Sequence, residues 1–510
     1  NTNQHVAFNR MMSREASIGI DGVYYNPAGV VFMGEGHHLA INWQLAYQTR
    51  TINNDYKLFT NNVNNPITPR DFKGKAFAPV IPSFQYAYNK GKWSFQANFA
   101  LTGGGGKCTF DDGLGSFEKI VSETAIAACG LAGVVDQTLG NTLGQQGMEM
   151  FTSDQAFGKT GKYSFNSYMH GRQYYYGLSV GAAYKFCDNF SAFLGVRGVY
   201  ALTNYYGYVE NINVGNMPLY KVLDPTKENA ANIELSCDQT GVGFTPIIGV
   251  DYKTGRWNFS AKYEFKTRIR LKNKSVNQTP SIGNLPANLA NQMTGILTAK
   301  YQQAGLPLEQ AKQQAENTTN TVLSDPKVGA TMMGLKTQFD QKLNKAIGEY
   351  EDGKKIAGDI PGYLALGIGY SPVDAVRVNV GFHWFDDKNA TSYNNRNKEL
   401  KRGTLEYNAG VEVDVNKKIT LSTGWQNTNY GLSDEYMDDK SFVVGSNSAA
   451  IGGVYHINKK MDLNVAYFHT FYQHKKTTET VQLTADRSLN YSSDYTRNNN
   501  VFAVGLDINF

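Results

Sequence analysis

Read two residues at a time, the end of this chain sorts its side chains onto two faces. Phe502, Val504, Leu506, Ile508 and Phe510 share one face; Ala503, Gly505, Asp507 and Asn509 share the other. A strand puts alternate side chains on opposite sides, so this segment has an apolar face and a small or polar one. It fits the closing strand of a transmembrane barrel. It also fits a half-buried strand ending a soluble sandwich, and the rest of the chain must decide.

The same alternation recurs along the sequence. Trp257, Phe259, Ala261, Tyr263, Phe265, Ile269 and Leu271 share one parity; Asn258, Ser260, Lys262, Glu264, Lys266, Arg268 and Arg270 share the other. Val376, Val378, Val380, Phe382 and Trp384 oppose Arg377, Asn379, Gly381 and His383. Leu405, Tyr407, Ala409, Val411 and Val413 oppose Glu406, Asn408, Gly410, Glu412 and Asp414.

Between these segments, tight turns alternate with long polar stretches. The turns are Asn89-Lys90-Gly91-Lys92, Cys187-Asp188-Asn189, Lys253-Thr254-Gly255-Arg256, Ser371-Pro372-Val373-Asp374, Asn416-Lys417-Lys418 and Asn458-Lys459-Lys460. Their residues have hairpin chemistry. The long stretches span 51–77, 105–170, 207–236, 272–358, 388–402, 428–440 and 475–494. Six turns and seven loops imply fourteen strands. Short turns at one rim and long loops at the other are the pattern of an outer-membrane barrel.

Composition agrees. The 510 residues include 51 Gly, 32 Tyr and only 14 Pro. No run approaches the about 18 consecutive apolar residues of a spanning helix. A membrane protein built without such helices must close its sheet, because lipid leaves a sheet edge unsatisfied. The net charge of +5 is spread along the chain and predicts no nucleic-acid partner. No charged-then-apolar leader precedes Asn1, so an exported protein is read here in its mature form.

Two long stretches have helical periodicity. Ile120, Val121, Ile126, Ala127, Leu131, Val134 and Val135 recur at helix-like spacing between 116 and 150. The segment 285–350 is rich in Ala, Gln, Lys and Leu. Both predict short amphipathic helices outside the membrane. They either cap the barrel or capture ligand, with Ile120, Val121 and Leu131 as the capture candidates.

The first residues do not alternate. They run Phe8-Asn9-Arg10-Met11-Met12-Ser13-Arg14-Glu15-Ala16-Ser17 and then Tyr24-Tyr25-Asn26-Pro27-Ala28-Gly29-Val30. Tyr25-Asn26-Pro27-Ala28-Gly29, placed just before the first strand, resembles the hatch motif of the FadL/TodX family of outer-membrane transporters for hydrophobic compounds. The strand count and the C-terminal aromatic belong to the same resemblance. It implies an all-β fold, with residues 1–36 as a plug inside a fourteen-stranded barrel formed by 37–510. It also implies passive movement of a hydrophobic small molecule, released sideways through a gap in the third strand.

Here that strand starts at Trp93 and runs into Gly103, Gly104, Gly105 and Gly106. Four glycines either bend and break a ladder or begin a flexible loop. Pro79, Pro82 and Pro246 also remove ladder donors. The candidates for a ligand head group are Arg197, Lys262, Arg268 and Arg377, with Lys266 and Arg270 assigned to the interior by the same parity. Pairing with barrel acids is the competing role for each.

Cys108 and Cys129 fall in one loop as candidates for a disulfide, with Cys237 as a rival partner. No nucleophile elbow, phosphate loop or metal-ligand spacing occurs, so neither catalytic residues, cofactor nor metal is expected. The rival readings are a barrel enzyme of lipase or protease type, which requires a catalytic constellation at the rim, and an open porin or adhesin, which a plug opposes. An outer-membrane location implies contact with lipid and lipopolysaccharide, and with the barrel assembly machinery during biogenesis. The expected state is a monomer.

Overall fold

The computed structural model describes residues 3–280, 282–484 and 486–510. Fourteen antiparallel strands close into one barrel. In chain order they are β1 (Gly36–Tyr56), β2 (Arg70–Lys90), β3 (Trp93–Phe110), β4 (Tyr163–Cys187), β5 (Phe190–Val214) and β6 (Ile233–Thr254). Then come β7 (Trp257–Glu264, resuming as Arg270–Gln278), β8 (Lys355–Ala357 and Tyr363–Val373), β9 (Val376–Phe385) and β10 (Arg402–Asn416). The last four are β11 (Ile419–Gly431), β12 (Ser446–Asn458), β13 (Met461–Tyr472, resuming as Lys475–Thr484) and β14 (Arg487–Asn509). Closure is made by β14 on β1, in register from His38 opposite Asn509 to Tyr56 opposite Tyr491.

All six tight turns form as read, and Gly91 and Gly255 occupy the left-handed backbone region there. The strands run further into the loops than the alternation suggested. At 475–494, expected as a loop, β13 and β14 instead continue as a paired hairpin. The outer face carries an apolar belt that includes Ile41, Trp43, Phe84, Trp93, Phe95, Leu194 and Phe244, all exposed.

One parity assignment is overturned. Beyond Glu264, β7 leaves the ladder and re-enters with its faces exchanged. Thr267, Ile269 and Leu271 are buried, whereas Arg268 and Arg270 are exposed. The cause lies opposite, where Pro246 of β6 has no N–H to give. Phe265 N donates to Pro246 O at 3.0 Å, but Pro246 cannot return the bond. The break lets the chain slip by one residue, and a one-residue slip reverses every side chain after it.

Residues 3–35 lie inside the barrel as two short helices, α1 (Val6–Met11) and α2 (Gly22–Tyr25), and a 3-10 turn (Gly29–Phe32). His5 Nδ1 accepts from Ala7 N at 2.9 Å to start α1. Met12, with φ of 61°, ends it.

The long-loop end is covered by α3 (Gly115–Leu143), α4 (Tyr220–Leu223), α5 (Leu285–Gln303), α6 (Leu308–Leu323) and α7 (Pro326–Ile347). The first long loop thus holds one 29-residue helix rather than short ones. By length and composition α3 suffices to cross a membrane, yet it lies over the mouth. Its buried Glu118 accepts from Tyr163 Oη at 2.9 Å and pairs with Arg70. Its apolar face, Val121, Ala125, Ala132, Val135 and Leu139, packs with Leu285, Leu289, Met293 and Leu297 of α5 into one core.

Candidate functional site: plug, lumen and wall

The plug is held by charge and by hydrogen bonds from the wall. Arg10 pairs with Glu412 and Arg14 binds Asp21 at 2.7 Å. His383 stands between Glu15 at 2.7 Å and Glu406 at 2.9 Å. Burial alone raises a carboxyl, but in Glu15 the neighbouring His383 wins and draws it below the usual range. The Arg14 guanidinium does the same for Asp21.

The motif Tyr25-Asn26-Pro27-Ala28-Gly29 docks through its backbone. Gln96 Nε2 donates to Pro27 O at 2.7 Å, and Ser191 Oγ donates to Ala28 O at 2.7 Å. Asn26 Nδ2 reaches Asp251 Oδ2 at 2.6 Å, and Gly29 N donates to Asn26 Oδ1 at 3.2 Å. A β-carbon at Gly29 would run into the Asn26 side chain, which is why glycine stands there. Tyr25 stacks on Phe8 at 5.1 Å, tying the motif to α1.

The head-group candidates do not come together. Arg197 and Lys262 meet, but around Glu264: Arg197 Nη1 lies 2.6 Å and Lys262 Nζ 2.9 Å from its carboxylate. Lys262 also donates to Tyr24 O at 2.6 Å and sits 3.9 Å over the Tyr24 ring. Both cations are thus spent on holding α2. Arg377 is bound by Glu412 at 2.7 Å and Asp414 at 2.5 Å, close to the short-turn end. Arg268 is exposed on the outer face, so its expected interior position is corrected by the slip in β7.

The glycine run stays in β3, but the ladder around it fails. β2 and β3 pair from Trp93 to Ala100 and again from Cys108 to Phe110. Between these, Phe77–Pro82 of β2 face Leu101–Lys107 of β3 unpaired. Pro79 and Pro82 lack donors on that stretch. Gly104 and Gly106 have φ of 88° and 71°, angles that side-chain-bearing residues rarely adopt. Pairing with β4 shifts at Leu101, Gly103 and Gly106 as well. The plug adjoins the interruption: Ser83 Oγ and Gln85 Nε2 both donate to Gln4 O, at 2.7 and 2.8 Å.

Above the plug lies a lumen cavity of about 310 Å³, lined by Met12, Phe385, Phe468, Tyr430 and Tyr472 and by polar Thr404, Gln426, Ser448, Thr470 and Arg497. The capture candidates line separate apolar grooves along α3. Ile120 and Val121 face Met169 and Val209, whereas Leu131 faces Leu219 and Leu289.

Two cations that have no acidic partner among the described residues, Arg50 and Arg497, were not singled out from the sequence. Each lies on the polar parity of its strand, and that signal was available. Their proximity was not, since it depends on closure.

The four cysteines are all free. Cys108 is in β3, not in the loop, and packs with Ile52 and Ala76. Cys129 is in α3, its Sγ 3.4 Å from Phe157 O. Neither candidate pairing, of Cys108 with Cys129 or of either with Cys237, forms. Among the described residues there is no cluster of His, Cys, Asp and Glu that would hold a metal ion.

Neither a protein-family model nor a curated protein matches the sequence. Solved structures do match. A Pseudomonas aeruginosa FadL homologue aligns with a TM-score of 0.58 at 13% identity, over 99% of this chain and 98% of that one. The P. putida toluene transporter TodX aligns at 0.51 and 11% identity, over 96% of this chain and 94% of that one. A TodX deltaS2S3 mutant, a monoaromatic hydrocarbon channel, gives 0.53 at 12% identity over 99% of both chains. The chain, a fourteen-stranded antiparallel barrel closed around an N-terminal plug, thus has the FadL/TodX fold.

Proposed function

We propose that this protein is an outer-membrane channel of the FadL/TodX family that takes up hydrophobic small molecules passively and is not an enzyme. The observation that carries the reading is the broken ladder between β2 and β3, beside a plugged lumen. An open porin has no use for a plug, and a continuous wall gives an apolar molecule no way sideways into lipid. Ligand is captured in the apolar grooves of α3, near Ile120, Val121 and Leu131. It then passes to the cavity above the plug and leaves past Gly103–Gly106. Residues 1–36 act as the hatch, and the motif at 25–29 sets its position.

The barrel closes with its own strands, which favours a monomer. Its partners in this reading are the ligand, membrane lipid and lipopolysaccharide at the apolar belt, and the assembly machinery during insertion.

The test uses the full chain in proteoliposomes. Radiolabelled toluene and palmitate should enter faster than into protein-free vesicles, while sugar-driven swelling stays at background. Swelling at open-porin rates, or no acceleration of either apolar probe, sinks the proposal.

A further inference from the structure

The slip in β7 turns a row of cations outward. Below it, Trp257, Phe259 and Phe265 are exposed on the outer face. Had the chain kept that parity, Arg268, Arg270 and Lys272 would point into the lumen, and Ile269 and Leu271 into lipid. After the slip Ile269 and Leu271 are buried, and Arg268, Arg270, Lys272 and Lys274 are exposed. β8 adds Lys355, which stands opposite Lys272, while Ile356 stands opposite Leu271. Ile356 is buried, so Lys355 shares the outer face.

The level of these cations follows from strand geometry. Trp257 stacks on Tyr370 at 4.3 Å next to the tight turns and marks the inner edge of the apolar belt. A strand that rises about 3.3 Å per residue and tilts by about 40° climbs about 2.5 Å per residue. An apolar band about 25 Å tall is therefore crossed in about ten residues. Phe265 falls within the band, and Arg268, eleven residues beyond Trp257, falls at its outer edge.

The protein neutralises little of this charge. Arg270 binds Asp359 at 2.7 Å. Asp238, opposite Lys274, already accepts from Asn204 Nδ2 at 2.8 Å. Among the described residues, Arg268, Lys272 and Lys355 have no carboxylate within ion-pair distance. Lys272 and Lys355 face each other across the ladder as like charges, which is destabilising unless an anion lies between them. Thr240 of β6 stands opposite Lys272. Toward the short turns from there, Val242 and Phe244 are 63% and 70% exposed.

We propose that this face of β6, β7 and β8 binds a phosphorylated glycolipid of the outer leaflet, the lipid A part of lipopolysaccharide. Arg268, Lys272 and Lys355 take its phosphates, with Arg270 held beside them by Asp359. Its acyl chains lie against Val242, Phe244 and Phe265. Guanidinium and ammonium groups suit phosphate, and the edge of the band is where a cation on the outer wall costs least. This inference rests on the outer-membrane reading and not on the cargo or its exit, so the two fail separately.

The test is native mass spectrometry of the detergent-solubilised full chain, titrated in turn with bisphosphorylated lipid A, its dephosphorylated form and phosphatidylglycerol. The phosphorylated lipid A should bind at least about tenfold more tightly than either of the others. R268Q/K272Q/K355Q should lose most of that preference. K272Q/K355Q, a milder change that relieves a like-charge pair, should lose it in part. K300Q/K312Q/K327Q removes the same charge from exposed positions on α5, α6 and α7 and should bind as the parent does. Equal binding of the two lipid A forms, or a preference unchanged in both β7–β8 variants, overturns the site. Phosphatidylglycerol binding as tightly as lipid A makes the face a general anionic-lipid surface and overturns the glycolipid assignment. An equal loss in the α5–α7 variant reduces the effect to net charge and overturns it too. Uptake of toluene and palmitate into phospholipid vesicles should be the same for R268Q/K272Q/K355Q and the parent; a loss there ties these cations to transport and overturns their assignment to the outer leaflet.

Discussion

Two of the longer interruptions in the barrel wall have the same arithmetic but opposite outcomes. Between β2 and β3, Phe77–Pro82 face Leu101–Lys107. Between β6 and β7, Gly241–Pro246 face Phe265–Leu271. In each, proline and glycine stand against one extra residue.

At the second interruption the extra chain brings side chains with it. A β-carbon at Gly243 would meet Thr267 Cγ2 at 2.6 Å, and one at Gly241 would meet Ile269 Cγ2 at 2.8 Å. The hydroxyls of Thr245 and Thr267 touch, and the seam is sealed by packing. At the first, the extra chain is itself glycine and brings nothing. A β-carbon at Gly106 would find only Ala78 Cβ, at 3.7 Å. A ladder break alone therefore does not make an opening; what fills the break decides.

The strongest way to break this comparison is to staple both places. In a C108S background, A78C/G106C puts two β-carbons within disulfide reach. Oxidation should lower palmitate uptake by about tenfold or more and reductant should restore it, as for a closed gate. The matching T245C/T267C staple should leave uptake unchanged. If both staples block, or neither does, the two interruptions are equivalent.

A change in the plug should matter next. P27L/G29V pushes Asn26 away from Asp251 beneath the sealed side of the lumen. The barrel should stay folded, judged by heat-dependent gel mobility, while uptake falls several-fold. Uptake equal to the parent's makes the motif a mere connector.

Filling the two breaks compares them energetically. G243V adds bulk against Thr267 Cγ2 and against Arg268 O at 2.8 Å. It should cost about 1–3 kcal/mol by overpacking. G105A meets only the tip of flexible Arg50 and should stay within about 1 kcal/mol of the parent. Denaturant unfolding midpoints measure both.

The smallest effect concerns the cap above the first break. Leu114, Phe442 and Val444 pack there with Ile52, Ala76 and Cys108, and Asp439 Oδ2 accepts from Ser116 N at 2.9 Å. Burial, with Asp438 beside it, pushes the Asp439 carboxyl up to about 6, while Lys440 opposes the shift. A carboxyl raised on folding disfavours the folded form once ionised. The cap should therefore gain stability as pH falls from 7 toward 4, and lose it as pH rises through 6. The change should be on the order of 1 kcal/mol. Hydrogen exchange at the start of α3 should show this slope in the parent and not in D439N.

Much of this molecule is legible in one dimension. Alternation with a period of two is local, so the strands at 376–385 and 402–416, the six tight turns and the outward Phe502, Val504, Leu506 and Ile508 can be read directly. The motif at 25–29 was legible as a plug element only through its resemblance to the family's hatch, because its local pattern fits a routine turn equally well. The faces of residues 266–271 were misread, because they depend on a slip set by Pro246 in another strand. The head-group candidates were cations chosen by parity alone, and parity does not say whether an acid stands opposite. Glu264 neutralises Arg197 from 67 residues away. Arg50 and Arg497 become neighbours only when the last strand pairs with the first. Outside residues 266–271, the local repeat thus determined by itself which strand residues face lipid and which face the lumen. Only the tertiary structure decided which charges are left over and which break stays open, because both depend on register between strands distant in sequence.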